Sequence, residues 1–319
     1  MNDDSFKVRE GDESDFPGIA ELFSRNRWGP GKLEWLQWKY LENPDGRAKI
    51  FVAEHANGKI IGVDVHSFRR FTSAKTGAFT LGQPVDNFTA PEMRNKGVYS
   101  SILELVESSP YPRIGFPNKL SIRFDPLHPG WKIIAPIEEW VFPVSLGKMI
   151  PERIWGYGFL NSLAGWLSRT YALLWLGRKS KRVSMKPISR FDKAFDIDGS
   201  FIHGVRSAEY LNWRFIDNPT ANYLAYEFFE GDESLGYCVY KIDGRLALVY
   251  DFITSRNWRS CFSMFVEKLR QEPIAAVWFP SVGLRLWRFG FIRLRSVNYV
   301  NGYDPLAGPW YLTYCDRDI

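Results

Sequence analysis

Glu34-Trp35-Leu36-Gln37-Trp38-Lys39-Tyr40-Leu41-Glu42-Asn43-Pro44 is matched 175 residues later by Glu209-Tyr210-Leu211-Asn212-Trp213-Arg214-Phe215-Ile216-Asp217-Asn218-Pro219. Five of the eleven positions are identical, and the other six keep their chemical type. A match of this quality between distant segments points to duplication. Its period is too long for a solenoid, whose units run to roughly 20–50 residues, so each copy is expected to be a domain.

Outward from the motif, the copies run in parallel. Ile50-Phe51-Val52-Ala53-Glu54, a turn at Asn57-Gly58 and Ile60-Ile61-Gly62-Val63 follow the first. Tyr223-Leu224-Ala225-Tyr226-Glu227, a turn around Gly231-Asp232 and Leu235-Gly236-Tyr237-Cys238-Val239 follow the second. β-Branched and aromatic runs around such turns are hairpin signals. Val85-Asp86-Asn87-Phe88 then pairs with Tyr250-Asp251-Phe252-Ile253, and Phe116-Pro117-Asn118 with Phe279-Pro280-Ser281. The order predicts an α/β (α+β) layered domain, present twice: a mixed, mostly antiparallel sheet flanked by helices. The expected division is 1–148, an intervening region 149–190, and 191–319.

With 319 residues, 45% of them hydrophobic, and 13 Trp, the chain can fill two cores. Cys238, Cys261 and Cys315 make no metal spacing and leave one unpaired, so a reducing compartment is expected. Met1-Asn2-Asp3-Asp4-Ser5 is acidic where a secretory leader is basic, and a cytoplasmic location follows as the expectation. A formal charge of +5 suits an anionic partner and selects none. Between the copies, apolar runs from Ile154 to Leu176 precede Arg178-Lys179-Ser180-Lys181-Arg182. Two readings stand: a linker helix buried between domains, or a peripheral foot on the inner face of a membrane through 154–182. Arg169 and several glycines argue against a membrane span.

Phosphate chemistry is suggested by Pro91-Glu92-Met93-Arg94-Asn95-Lys96-Gly97-Val98-Tyr99, which follows a strand and opens a helix with Val98, Ile102, Leu105 and Val106 at helical spacing. Unpaired amides converge at such a junction. Gly97 permits close approach of a bulky anion, and Arg94 and Lys96 add positive charge. A pyrophosphate cradle or a plain helix start both fit the pattern.

Asp86 on the preceding strand, then Pro91 and Arg94-x-Lys96-Gly97, resembles the coenzyme A site of the Gcn5-related N-acetyltransferases, the GNAT superfamily, whose signature there is Gln/Arg-x-x-Gly-x-Gly/Ala. Phe6-Lys7-Val8-Arg9 with the segment Glu13 to Phe23 also resembles their first strand and helix. Tandem GNAT proteins occur among peptidyltransferases of the Fem type and acyltransferases of surface-polysaccharide clusters. The resemblance implies two GNAT-like domains, acetyl-CoA or another acyl-CoA as co-substrate, and an amine acceptor such as an amino sugar of a surface-glycan precursor. It implies cofactor contacts from Asn87, Phe88, Thr89, Arg94, Asn95, Lys96, Gly97, Val98, Tyr99 and Asn118. Asp86 is the expected base, with Glu54 as the other candidate. Each also reads as structural: Asp86 as a strand-end residue, and Glu54 because Glu227 repeats it.

The chain departs from the family pattern at three points. Tyr99 stands where the signature ends in Gly/Ala. The window Ser121-Ile122-Arg123-Phe124-Asp125 lacks the tyrosine that often protonates the leaving thiolate, so that role is absent, filled by Tyr99 or a water, or unneeded. Ser255-Arg256-Asn257-Trp258-Arg259-Ser260-Cys261 has no glycine, so the second copy is expected to be degenerate. His55, His66, His128 and His203 are scattered without metal spacing, and no basic stripe with exposed aromatics suggests nucleic acid. Trp38 and Trp213 read as structural. Two alternatives to the acyltransferase remain: a Fem-type aminoacyl transferase, and a non-catalytic tandem scaffold at the membrane.

Overall fold

The computed structural model describes residues 5–109, 111–117, 130–149, 158–177, 182–303 and 306–317. The first half runs β1 (Phe6–Gly11), α1 (Phe16–Arg25), α2 (Leu33–Tyr40), β2 (Lys49–His55), β3 (Ile60–Ser73), β4 (Gly77–Thr89), α3 (Val98–Glu107), β5 (Arg113–Gly115), β6 (Trp131–Pro136) and β7 (Glu138–Pro143). A short α4 (Leu146–Met149) and the 19-residue α5 (Gly158–Leu176) follow. The second half runs β8 (Val183–Pro187), β9 (Ile202–Gly204), α6 (Ala208–Leu211), β10 (Leu224–Glu230), β11 (Glu233–Asp243), β12 (Leu246–Thr254), α7 (Trp258–Arg270), β13 (Ala276–Val282), β14 (Ile292–Leu294), β15 (Tyr299–Tyr303) and β16 (Trp310–Thr313).

The expected α/β class and mostly antiparallel sheet are present. Parallel pairing occurs at β4–β5, β12–β13 and β9–β16. The meander β1–β2–β3–β4 has its counterpart in β8–β10–β11–β12, with α3 and α7 at equivalent places. Gly58 and Gly231, at φ +82° and +63°, supply the left-handed residues that the β2–β3 and β10–β11 turns need. β8 falls within 149–190 and is nonetheless the edge strand beside β10. Among the described residues the second copy has no equivalent of α1.

Each half lends the other a strand. β7 lies between β13 and β14, while β15 lies between β5 and β6. The two halves are thus β4-β5-β15-β6 and β12-β13-β7-β14 on one side of their sheets, with β7 and β15 exchanged. β9 and β16 complete the junction by pairing with β3 and β13. The division at 148 and 190 is therefore a proposal about ancestry and folding units, crossed by these pairings.

The duplicated motifs meet at a local pseudo-twofold. Trp38 and Trp213 stack with ring centres 5.0 Å apart and planes 22° apart. Each indole N–H donates to the other's backbone carbonyl, at 3.0 and 2.9 Å. Reciprocal contacts between equivalent residues are the mark of an isologous interface. The two tryptophans that read as structural pack on each other. One apolar cluster runs through this contact, from Phe23 and Phe51 in the first half to Tyr237 and Val239 in the second.

Beneath it lies a buried ion network. Arg69 bridges Asp45 (2.7 Å) and Asp316 (3.2 Å). Arg206 bridges Asp316 (2.6 Å) and Asp251 (2.7 Å). Arg70 reaches Asp45 from the surface, so three carboxylates face three guanidinium groups. Such networks tolerate burial only when every charge is paired.

Candidate functional site

β4 positions the site. One of its edges is zipped to β3 from Ser73↔Gly77 to Gly62↔Thr89. Its other edge meets β5 at a single register pair, Gly82↔Arg113, beside a 3.0 Å bond from the Gly82 N–H to the Pro112 carbonyl. Beyond residue 82 no described strand pairs with that edge, and β4 and β5 diverge into a wedge. A bulge falls inside it: His66 is opposite Pro84 and Val65 opposite Asp86, so Val85 has no register partner. Bulges break a ladder locally and re-aim the backbone. The wedge therefore has one wall able to bond an extended ligand through its main chain.

The wedge leads to the turn picked out above. Thr89 is followed by a tight 3₁₀ turn, Pro91–Met93, and then by Asn95 at φ +62° and Gly97 at φ +83°, the residue preceding α3. Gly97, the N-cap of α3, has no side chain to cap the first amides, and Arg94, Asn95, Lys96 and Gly97 are exposed. A Cβ built on Gly97 would meet nothing within 4 Å, so the space before the turn is open. Glu92 is paired with Arg25 at 3.3 Å. Arg94 makes no ion pair among the described residues; it lies over the Phe88 ring at 5.8 Å with Nε 3.4 Å from the Thr89 carbonyl. Phe88 is fixed from below by Phe23 and Trp28. Val98 is buried where β3 has Gly62, whose absent Cβ would lie 2.8 Å from the valine Cγ1. Tyr99 is half-buried in the first turn of α3. The expected residues Asn87, Phe88, Thr89 and Arg94 to Tyr99 are thus brought to one place. Their open turn and bare amides fit a bound diphosphate. Asn118 and the 121–125 window lie outside the described residues.

Both expected bases are engaged by cations. Asp86 is buried, 2.8 Å from Lys39 Nζ, and accepts a 2.8 Å bond from the Tyr40 hydroxyl. In the second copy Asp251 is held the same way, by Arg206 and by the Tyr237 hydroxyl at 2.6 Å. Glu54 pairs with Arg9 at 2.9 Å and Lys7 at 3.4 Å. The Arg9 hydrogen bond, the largest influence, holds the Glu54 carboxyl below its ordinary range and weakens it as a proton acceptor.

The second copy keeps the outline and closes the space. β12 meets β13 only from Leu246 to Leu248, and Tyr250 is a bulge residue matching Val85. There, however, β16 pairs along the far end of β13, and the Cys315 N–H donates 2.9 Å to the Tyr250 carbonyl. The chain's own tail fills the wedge. The turn before α7 is also neutralised: Arg256 binds Glu233 at 2.8 Å, and Asn257 binds Glu230 at 3.1 Å. Asn257, at φ +56°, takes the left-handed place of Gly97.

One constellation was not visible in the chain order. His66 bridges Tyr111 Oη (2.8 Å) and Asp64 (3.5 Å), and Asn87 donates to the same Asp64 at 3.3 Å. Strand pairing across the bulge assembles it, and no sequence spacing signals that. All three cysteines are buried, and burial raises each thiol, Cys261 to about 12, so none offers a ready thiolate. Among the described residues no His/Cys/Asp/Glu group is arranged for a metal. Two surface hollows lie elsewhere. One, of about 610 Å³, is lined by Glu138, Trp140, Arg285, Trp287 and Arg293. The other, of about 410 Å³, is lined by Glu42, Arg190, Glu209, Trp213 and Asp217 beside the stacked tryptophans.

No family model matches the chain. No curated protein matches it either. Solved structures do. A conserved protein of unknown function from Enterococcus faecalis, described as a probable N-acyltransferase, superposes with a TM-score of 0.62 at 10% identity, covering 93% of this chain and 72% of that one. A GCN5-related N-acetyltransferase from Anabaena variabilis gives 0.60 at 12% identity, over 93% and 72%. A third, from Kribbella flavida, gives 0.55 at 10% identity, over 93% and 70%. At such identities the likeness is one of fold: the chain has the architecture of GCN5-related N-acetyltransferases.

Proposed function

We propose that the protein is an acyl-coenzyme A-dependent N-acyltransferase whose first half alone holds the acyl donor. The observation that carries this is the contrast between two equivalent wedges. One has no described strand along its far edge and leads to an exposed helix start that carries Arg94 and Lys96. The other is filled by the chain's own tail and has its turn neutralised by glutamates. In this reading the amides and cations of residues 94–99 hold the diphosphate. The β4 backbone from 83 to 89 holds the pantetheine arm and polarises the thioester carbonyl. A neutral amine then attacks that carbon; the amide forms as the C–S bond breaks, and the amine proton must be taken up.

Asp86 remains the proposed base only if it releases Lys39; Glu54 carries a similar debt to Arg9. Tyr99 is the proposed proton source for the leaving thiolate. An amino sugar or similar amine on a surface-glycan precursor is the proposed acceptor. The same reading gives a cytoplasmic protein in peripheral contact with the inner face of a membrane. Among the described residues no helix is long and apolar enough to cross one.

Calorimetric titration with acetyl-coenzyme A provides the test. Binding is expected in the native protein and is expected to vanish in Gly97→Glu, whose carboxylate would occupy the anion's place, with no loss of secondary structure. A protein that binds no coenzyme A and acylates no amine would favour the scaffold reading. Transfer from aminoacyl-tRNA without coenzyme A affinity would favour the Fem-type one.

A further inference from the structure

α5 buries one face and leaves the other bare. Ala164, Ser168, Ala172 and Leu176 recur every fourth position and are buried against α4 and α7. On the opposite side Leu163, Trp166, Leu167, Leu173 and Leu174 are exposed, Trp166 by 61% and Leu174 by 76%. Isolated exposed leucines need no explanation, but a continuous stripe of this kind does. The helix has no carboxylate, and its single charged side chain is Arg169. Tyr171 ties it, through a 2.6 Å bond to the Gly290 carbonyl, to the turn Leu286–Phe289. That turn carries Trp287, 55% exposed, between Arg285 and Arg288, neither of which has an ion pair among the described residues. Trp287 and Arg285 also line the 610 Å³ hollow, where the buried Trp140 indole N–H has no partner.

We propose that this face docks in the plane of an anionic lipid surface, with Trp166 and Leu174 in the acyl–headgroup boundary and Arg169, Arg285 and Arg288 against the headgroup phosphates. Trp and Leu flanked by cations is the chemistry of an interfacial helix, and Glu138, which lines the adjoining hollow, is paired with Arg293 at 3.3 Å. Anionic headgroups complement those cations. A second copy of the chain fits less well, because an isologous contact would set arginines against arginines. The inference rests on the peripheral-contact part of the proposed function and not on acyl transfer.

The test is co-sedimentation of the full chain with vesicles of phosphatidylcholine alone, and of phosphatidylcholine mixed with phosphatidylglycerol. Binding is expected to the mixed vesicles, weakening as salt is raised. Leu174→Glu and, separately, Trp166→Ser are each expected to weaken it by about tenfold or more. Both side chains are exposed, so circular dichroism and coenzyme A affinity should not change. No binding to mixed vesicles, or unaltered binding in both variants, overturns the proposal. So does a concentration-dependent dimer that Leu174→Glu abolishes in a protein indifferent to vesicles. Vesicle binding without coenzyme A affinity sinks the transferase reading alone; coenzyme A affinity without vesicle binding sinks only this one.

Discussion

At the scale of single residues, the carboxylates and glycines around the wedge separate chemistry from support. Asp86 sits against Lys39, itself buried over the Trp35 ring at 4.8 Å. Asp86→Asn leaves that ammonium without its counter-ion, which costs about 3–5 kcal/mol for a buried pair. The expected outcome is a clear fall in melting temperature. Its effect on turnover should therefore be read well below that transition; a rate loss that persists there, with unchanged coenzyme A affinity, marks a base. Gly62→Ala is expected to cost about 1–3 kcal/mol, because the new methyl meets Val98 and Ile102 and α3 must move off β3. Denaturant titration measures it, and coenzyme A affinity should weaken in parallel, since α3 carries the turn. Gly97→Ala has space for its methyl but must hold φ +83°, a strain of about 1–2 kcal/mol.

Among elements, the stacked motif helices are where the two copies meet. Trp213→Ala removes a stacked indole and its N–H, and leaves the Trp38 backbone carbonyl without that donor; a destabilisation of about 3–5 kcal/mol is expected in urea titration. The repeat that names these helices was legible in the chain, as were the hairpins around Gly58 and Gly231, because turn chemistry and period-2 patterning are local. The exposed turn before α3 was legible for the same reason: basic residues and one glycine between a strand and a helix. What pairs with what was not. Nothing in Glu138–Pro143 or Tyr299–Tyr303 says that each strand serves the other copy, since a strand's alternation is indifferent to the origin of its neighbour. Nothing in the chain order singles out Lys39, and its partnership with Asp86 appears only when α2 lies over β4. His66 was set aside as scattered because the Asp64–His66–Tyr111 chain depends on a bulge and a parallel strand. The tail that fills the second wedge left no mark beyond a missing glycine.

For the molecule as a whole, stability runs through the buried ion network. Burial alone would raise the Asp316 carboxyl, but Arg206 and Arg69 outweigh it and hold it below its ordinary value. A depressed carboxylate contributes stability above its unfolded pKa, and that contribution is lost as pH falls through the folded value. Melting temperature should therefore be insensitive to this group above about pH 5 and decline below about pH 4. Asp316→Asn is expected to flatten that acid limb while lowering stability at neutral pH by about 3–5 kcal/mol, through the uncompensated arginines. Scanning calorimetry across pH reads both effects. The strand exchange adds a further expectation. Residues 1–148 produced alone lack the strand that separates β5 from β6 and should show no cooperative transition, whereas the full chain should melt in one.

The crossed strands also limit how this protein can work. A two-lobed transferase that shuts like a jaw needs a seam across which few bonds run. Here the seam is stitched by β7 in one direction and β15 in the other, so opening it would mean tearing two sheets. On the proposed acyltransferase reading, selection of an acceptor falls to loops on a fixed frame, and exchange of those loops, rather than of a hinge, is the route by which a chain of this shape would acquire a new substrate.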